Sequence, residues 1–328
     1  MSHRALIATL AALVAGLFLA SLLIGPSGTP PGAALAALVS GEDVLGLVMR
    51  EIRLPRALLA VLVGAALGVS GAAMQGFLRN PLAEPGLIGT SASAALGAVL
   101  ALQTGLAAAW PLGLPLAALA GAAVSVLLVL ALAGPHGGTL ALILAGIAIS
   151  SLAGAGSALV LNLSPNPFAA SEIVFWMMGS LADRSMLHVQ VAALLILPGL
   201  AVLLSCGRAL DALTLGEDAA ASSGIDLRRL RLMLVLGCAA AVAGATAVAG
   251  AIGFVGLVVP HLLRRAVGAR PGRLLPASGL GGAAMVLAAD IAVRLILPGR
   301  DLKLGVLTAL VGAPLFLHLI LRTRRQGL

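Results

Sequence analysis

The sequence is poor in charged residues, which make up 10% of its 328 residues, and in aromatic residues, which make up 2%. Soluble globular proteins are about a quarter charged. This scarcity excludes a soluble protein, and the mean hydropathy of +1.12 indicates a membrane protein with several spans. The formal net charge is +8, but the arginines lie between apolar runs without aromatic neighbours. The charge therefore does not indicate nucleic-acid binding.

Lysine occurs only once, at Lys303 in the sequence DLKLG. A phosphate-binding loop of the form GxxxxGK, followed by Ser or Thr, is therefore absent from the sequence, and this chain does not bind ATP in that way. Energy for transport would have to come from another subunit or from an ion gradient. We recognise no enzyme site, and we expect neither catalytic residues nor a cofactor in this chain.

Cysteine and histidine are also scarce. Cys206 and Cys238 lie in or beside apolar stretches and form no disulfide-scaffold pattern, so we expect free, structural thiols. The five histidines are scattered without the spacing of metal ligands. No metal site is expected.

The sequence does contain a series of long apolar runs, together with 41 glycines. An α-helix needs roughly 20 apolar residues to cross the hydrocarbon of a bilayer. The run from Ala57 to Leu78 has no charge and a single amide, Gln75. Small residues allow helix backbones to pack closely in a membrane. We therefore predict an all-α fold, a polytopic bundle of transmembrane helices.

The apolar runs predict about ten spans in one domain, residues 1–328. The spans lie near residues 5–25, 57–78, 91–110, 114–133, 140–161, 187–205, 231–250, 252–267, 274–297 and 304–321. The first resembles a signal peptide, but it is long and lacks a clear A-x-A site, so we expect an uncleaved span. The eighth is short and broken by Pro260, which is also compatible with a half-helix.

The distribution of Lys and Arg indicates the orientation. An even number of spans places both termini on one side, and cytoplasmic termini leave most of the 20 Lys and Arg residues inside. The remaining cations would lie outside: Arg50, Arg53, Arg56, Arg184, Arg294, Arg300 and Lys303. This number is more than the rule predicts, which points to a functional surface on the outer side.

Several segments occur in the order of a known family pattern. They read RLPR, SGAAMQGFLRNPLAEPGLIG, GSLADR, LGEDAAASSGIDLRRLR, GFVGLVVPHLLRR and GVLTALVGAPLFLHLILRTRR. From Val48 to Arg325 the chain resembles the FecCD-like permeases of ATP-binding-cassette (ABC) importers, which bring iron chelates, haem and vitamin B12 into bacteria.

The resemblance implies a type II ABC importer permease in the bacterial inner membrane that works by alternating access. It also implies a homodimer, two copies of a cytoplasmic ATPase that bind ATP and Mg, and a periplasmic substrate-binding protein. We expect an iron chelate, a siderophore or haem, as cargo, with vitamin B12 as an alternative. A proton-coupled secondary transporter with Asp290 and Glu84 as the relay, and a channel or lipid-facing scaffold, are alternatives from other classes.

A cytoplasmic loop, about residues 206–230, is the candidate ATPase contact. Its acidic start, small residues, glycine and basic end predict a short capped helix, with a solvated loop as the alternative. The resemblance implies that this is a coupling helix, which docks in a cleft of the ATPase. The residues implied in the contact are Gly216, Glu217, Ala220 and Gly224, framed by Asp226, Arg228 and Arg229.

Arg53, Arg56 and Arg294 are the candidate docking residues for the binding protein, because arginines at matching positions of the vitamin B12 importer receive acidic residues of its two lobes. The alternative is that they extend to lipid phosphates. Arg294 follows Asp290 by four residues, which predicts an ion pair within one helix rather than a proton relay.

A polar break, RNPLAEPG from Arg79 to Gly86, ends the second span. Backbone freed from helical bonding at membrane depth must be surrounded by protein or line a water-filled path. The resemblance implies a cytoplasmic gate of Asn80, Leu82 and Thr139. Glu84 is expected to cap the next helix. Small residues would line the path: Gly89, Ser91, Ser93, Gly146, Ser150 and Ser151.

Overall fold

The computed structural model describes residues 2–25, 30–40, 43–134, 138–165, 167–296 and 302–325. All regular structure in these ranges is helical, which confirms the all-α prediction. The helices are α1 (His3–Leu23), α2 (Pro31–Ser40), α3 (Val44–Leu47), α4 (Leu54–Phe77), α5 (Thr90–Gln103), α6 (Leu106–Ala109), α7 (Gly113–Ala133), α8 (Thr139–Asn162), α9 (Pro167–Met177), α10 (Met186–Ser205), α11 (Gly207–Leu213), α12 (Glu217–Ser222), α13 (Leu227–Ala249), α14 (Val255–Arg264), α15 (Pro271–Ile296) and α16 (Leu304–Arg325). A π-helical turn, Val48–Arg53, joins α3 to α4, and a 3-10 turn, Pro85–Ile88, precedes α5.

Within these ranges, seven helical segments are long and apolar enough to cross a membrane. Six are α1, α7, α8, α10, α13 and α15, and the seventh runs from Val44 to Phe77. Three shorter apolar helices, α5, α14 and the Leu304–Leu317 part of α16, lie at the other three predicted spans. The prediction of about ten spans is therefore confirmed, and the eighth, α14, is a helix of 10 residues.

Two stretches between predicted spans contain helices. The stretch from 26 to 56 includes α2, α3 and the π-helical turn, and α9 lies between two spans. These helices are shorter than a span, so a criterion based on membrane thickness does not detect them. Arg300, one of the cations predicted to lie outside, falls outside the described residues.

Helix α4 forms the centre of the bundle and contacts α1, α10, α13, α14 and α15. Gly64, Gly68 and Gly71 share one face of α4, because they are spaced by four and three residues. A Cβ atom on Gly64 or Gly68 would collide with the backbone of α15, and one on Gly71 would collide with the carbonyl of Gly256 in α14. The glycines of α4 are therefore required by close backbone contacts, as expected for packing within a membrane.

We predict that Gly282→Ala destabilises the protein, because the added methyl would collide with the Gly64 carbonyl. Overpacking of this kind costs about 1–3 kcal/mol, so the thermal unfolding midpoint in detergent should fall by several degrees. Gly154→Ala in α8 is the control, since no atom lies within 4 Å of its Cβ position. Equal midpoints for the two variants would contradict the packing argument.

Candidate functional site

Of the three arginines predicted for docking, Arg56 and Arg294 bind Asp290, a carboxylate with 0% exposure, and Arg53 lies near Arg294. Arg56 Nε lies 2.8 Å from Asp290 Oδ1, and Arg294 Nη2 lies 2.9 Å from Asp290 Oδ2. The ion pair between Asp290 and Arg294 within α15 is thus confirmed. Arg56 adds a second cation from α4, which the sequence spacing does not reveal because the two residues are far apart in the chain.

Two of these arginines also bind the C-terminal end of α1. Arg53 Nη1 donates to the carbonyl oxygens of Leu22 at 2.8 Å and Leu23 at 3.2 Å. Arg294 Nη1 donates to the carbonyl oxygens of Ser21 and Ile24, each at 2.9 Å. The last carbonyls of a helix lack partners within the helix and carry partial negative charge. The guanidinium groups satisfy them.

The arginines are therefore less accessible than their sequence positions suggest. Arg53 is 5% exposed, and the side chains of Arg56 and Arg294 are 18% and 11% exposed. In the chain as described, all three bind protein groups, whereas the alternative required them to extend to lipid phosphates. Arg56 and Arg294 share the single carboxylate of Asp290, so this pairing of two cations with one anion leaves a net positive charge.

The short helix predicted in the loop of residues 206–230 is present as α12, which begins at Glu217 after the N-cap residue Gly216 and ends before Gly224. Both glycines have positive φ angles, 107° and 84°. This conformation is costly for a residue with a side chain. Glu217 is exposed, but Ala220 is 0% exposed and packs in the main hydrophobic core. The Ala220 methyl therefore holds α12 against the membrane domain and does not reach outwards, which differs from the predicted contact.

A link from this loop to the central bundle was not predicted. Asp211 in α11 accepts a hydrogen bond from the backbone N–H of Gly272 at 2.7 Å, at the start of α15. A Cβ on Gly272 would lie 2.8 Å from Asp211 Oδ2 and 3.0 Å from the Gly207 carbonyl oxygen. Asp211 thus caps α15, the main packing partner of α4. An Asp that caps a helix distant in sequence gives no local signal.

The polar break after α4 forms a compact loop. The Asn80 side-chain oxygen accepts from the Leu82 N–H at 2.9 Å, and the Asn80 carbonyl accepts from the Ala83 N–H at 3.1 Å. Thr139 is the first residue of α8 and is half-buried. No side-chain hydrogen bond among the described residues joins Thr139 to Asn80 or Leu82. We call residues Arg79 to Gly86 the gate loop.

Glu84 has a different role from the one predicted. It makes no side-chain capping bond to the 3-10 turn that follows it. Instead, its carboxylate lies near the backbone N–H of Phe254, the N-cap residue of α14. Glu84 is therefore beside the start of a helix that is distant in the chain, which no sequence pattern indicates.

A cavity of about 340 Å³ separates the gate loop from the non-helical residues 250–253. Glu84, Ser91 and Thr246 are among its lining residues. The other small residues expected along the path mostly serve helix packing. Gly89 and Ser93 are buried, and a Cβ on Gly146 would collide with the Leu87 carbonyl. Of the remaining two, Ser150 is half-buried and Ser151 is exposed in α8.

These elements form a helical membrane protein with broken helices at its centre, a short helix between two glycines of positive φ, and a buried arginine cluster. The FecCD transport family model matches residues 12–322. The chain belongs to the FecCD transport family.

Individual relatives agree with this assignment. The permease is similar to the hemin transport system permease protein HmuU of Yersinia pestis, with 40% identity over 88% of this chain and 87% of the relative. It is 39% identical to the vitamin B12 import system permease protein BtuC of Klebsiella pneumoniae, over 94% of this chain and 91% of the relative. The solved structure of a metal-chelate type ABC transporter in an inward-facing conformation matches with a TM-score of 0.87 and 33% sequence identity. The match covers 97% of this chain and 99% of the chain in that structure.

The permease is thus the translocation component of a type II ABC importer, as the sequence predicted. Family membership implies an ATPase partner and a substrate-binding protein. Among the described residues, no group of three or more His, Cys, Asp or Glu side chains could hold a metal ion. Cys206 and Cys238 are free and buried, which confirms the expectation for both thiols.

We predict that Asp290→Asn strongly destabilises the permease, because Arg56 and Arg294 would lose their shared counter-charge. Removing one partner of a buried ion pair costs about 3–5 kcal/mol, and the loss should appear as a lower thermal unfolding midpoint in detergent. Asp218→Asn is the control, since Asp218 is exposed on α12. An Asp290→Asn variant as stable as the wild type would argue against a structural ion pair and in favour of a proton-relay role.

Proposed function

We propose that this permease moves an iron chelate, a siderophore or haem, into the bacterial cytoplasm. The observation that supports this cargo is that two comparisons concern metal chelates: the relative that transports hemin and the metal-chelate type transporter of the same fold. Vitamin B12 is the second candidate, because the alignment with the vitamin B12 permease covers more of the chain, 94% against 88%.

In the proposed mechanism the permease is a homodimer in the inner membrane, with both termini in the cytoplasm and the path along the two-fold axis. Two-fold symmetry is the commonest mode of assembly. Two ATPase subunits bind ATP and Mg on the cytoplasmic side, and the binding protein delivers cargo on the periplasmic side. The outer faces of helices such as α7 and α8 carry exposed leucines, which suit contact with lipid. The permease itself breaks no bond.

The coupling helix α12 is proposed to receive the movement of the ATPase. Glu217 is exposed at its start, and Gly216 and Gly224 give its ends the positive φ angles that a side chain would disfavour. Buried Ala220 keeps α12 attached to the bundle. The bond from Asp211 to the start of α15 supports a direct mechanical connection to the central helices.

Docking of the binding protein is proposed to occur at the arginine cluster of Arg53, Arg56 and Arg294. Arg56 is its most exposed side chain, at 18%. Charges at the rim of an interface speed and orient association more than they tighten it. Asp290 is then the residue that fixes the positions of Arg56 and Arg294.

The cytoplasmic gate is proposed to consist of Asn80, Leu82 and Thr139. The hydrogen bond from the Leu82 N–H to Asn80 gives the gate loop a defined shape, which supports the first two residues. Thr139 begins α8, and α8 packs against the 3-10 turn at the end of the gate loop. A change in the position of α8 would therefore displace the gate loop.

The ion pairs of Asp290 argue against the proton-coupled alternative. Asp290 binds both Arg56 and Arg294. This carboxylate therefore has a structural role that does not require proton transfer.

We predict that uptake by the permease reconstituted in vesicles needs its ATPase and ATP, and that it continues when the proton gradient is collapsed. The measurements are uptake of radiolabelled or iron-loaded cargo and release of phosphate from ATP. Cargo retained by the cognate binding protein distinguishes an iron chelate from vitamin B12. Uphill transport by the permease without the ATPase would disprove the proposed function.

The same vesicles test the coupling helix. Gly224→Val should strain the end of α12 and lower uptake more than it lowers ATP hydrolysis, since Gly224 has a φ angle of 84°. Gly154→Ala in α8, which faces open space, is the control. Wild-type uptake per ATP in Gly224→Val would place the ATPase contact elsewhere.

We predict that Arg56→Gln weakens docking of the binding protein, because it removes one positive charge from the cluster while Arg294 still pairs with Asp290. The loss should be largest at low salt, where charges at a surface are least screened. Binding is measured by surface plasmon resonance at several salt concentrations. Arg208→Gln, an exposed arginine of α11, is the control. Equal affinities for the two variants would remove the docking assignment.

A further inference from the structure

Helix α14 contains a proline that breaks its backbone hydrogen bonding. Pro260 has no N–H, so the carbonyl of Gly256, four residues earlier, loses its helical donor. Both residues are buried. A carbonyl without a partner is unfavourable in a membrane, where no water is available to replace the bond.

Gln75 of α4 supplies donors at this break. Its side-chain Nε2 lies 3.1 Å from the Leu257 carbonyl oxygen and 3.5 Å from that of Gly256. Gln75 is 0% exposed. It lies four residues after Gly71, on the same face of α4, and Gly71 is where the two backbones come closest. Because the backbones of α4 and α14 are close together here, the short Gln75 side chain can contact the carbonyls of α14.

The other end of the Gln75 amide holds the C-terminal end of α14. Its Oε1 accepts from Arg264 Nη2 at 2.7 Å, and Arg264 is the last residue of the helix. A hydrogen bond from a charged donor is stronger than one between neutral groups. One buried amide thus satisfies donors and acceptors at two places along α14.

The N-terminal end of α14 lies beside Glu84. Phe254, the N-cap residue of α14, has a φ angle of 67°, which is unfavourable for a residue with a side chain. The Glu84 carboxylate lies near the Phe254 N–H, at the positive end of the α14 dipole, where a negative charge is stabilising. The position of a Cβ on Gly256 would be 2.9 Å from the ring of Pro85, so the gate loop packs directly on α14.

We propose that Gln75 and Glu84 fasten the half-helix α14 to the end of α4 and to the gate loop that follows it, so that α14 and the gate loop change position together during transport. Gln75 and Glu84 flank Asn80 and Leu82 in the chain, so a displacement of the gate passes to α14 through both attachments. Gln75 and Glu84 are positioning residues that contact α14, and they need not touch cargo. The inference rests on the proposed function, because it assumes that the gate loop moves.

The first test measures the movement directly in the complete transporter, with its ATPase, in lipid nanodiscs. Spin labels are placed on cysteines introduced at Arg79 and Leu262, which are both exposed, while the native cysteines are buried. Dimers with one labelled protomer restrict the signal to a single chain. The distance between the labels should be the same in the nucleotide-free and the ATP-trapped states. A distance that differs between the states in the otherwise wild-type protein would overturn the proposal.

The second test removes the attachments. Gln75→Leu keeps the volume but loses the hydrogen bonds of the amide to α14, and Glu84→Ala removes the carboxylate near the Phe254 N–H. In both variants the label distance should differ between states, and uptake per ATP hydrolysed should fall about tenfold or more, as expected for lost hydrogen bonds to charged groups. Glu84→Gln keeps a carbonyl oxygen as acceptor and should restore most of the coupling. Wild-type coupling in Gln75→Leu and Glu84→Ala would overturn the proposal.

Ser70→Ala is the matched control for a buried polar group of α4, since the Ser70 hydroxyl is 0% exposed and makes no hydrogen bond within the described residues. Its coupling should equal that of the wild type. A loss equal to that of Gln75→Leu would mean that coupling responds to any change in α4, and would overturn the assignment to Gln75. Failure of the proposed function is distinguishable, because wild-type vesicles would then lack ATP-driven uptake altogether.

Discussion

The structure depends on hydrogen bonding of backbone groups that lie in the membrane without a helical partner. Hydrocarbon offers no water, so every interrupted helix must be completed by protein groups. In this permease Gln75 donates to the Gly256 carbonyl, which lacks a donor because of Pro260, and to the neighbouring Leu257 carbonyl. The carbonyls at the end of α1 accept hydrogen bonds from Arg53 and Arg294. The few polar residues of the core are thus matched to specific backbone positions.

Close helix contacts make these bonds possible. Gly64, Gly68, Gly71 and Gln75 follow one another along a single face of α4, the first two against α15 and the last two against α14. Because the glycines bring the backbones together, a side chain as short as glutamine can span the remaining distance. Packing and polar contacts are therefore consequences of one arrangement of small residues.

Electrostatic interactions hold the arginine cluster in place, and the proposed docking role uses the same charges. Asp290 compensates two of the arginines, and helix α1 uses two of the same three guanidinium groups. A cluster that is fixed in this way keeps its geometry without a partner bound, which favours rapid and oriented association. Structural and docking roles of the same arginines are therefore compatible.

The amino-acid sequence by itself determined the all-α class, the positions of about ten spans, the family and the short helix α12. These features follow from local composition, because membrane thickness requires long apolar runs and a capped helix has a characteristic pattern of charges and glycine. Only the tertiary structure decided which groups meet: Gln75 with Arg264, Glu84 with the Phe254 N–H, and Arg56 with Asp290. It also turned Ala220 towards the core and placed Gly146 in a helix contact rather than along an open path. These contacts join elements that are distant along the chain, so they cannot be predicted from the spacing of residues in the sequence.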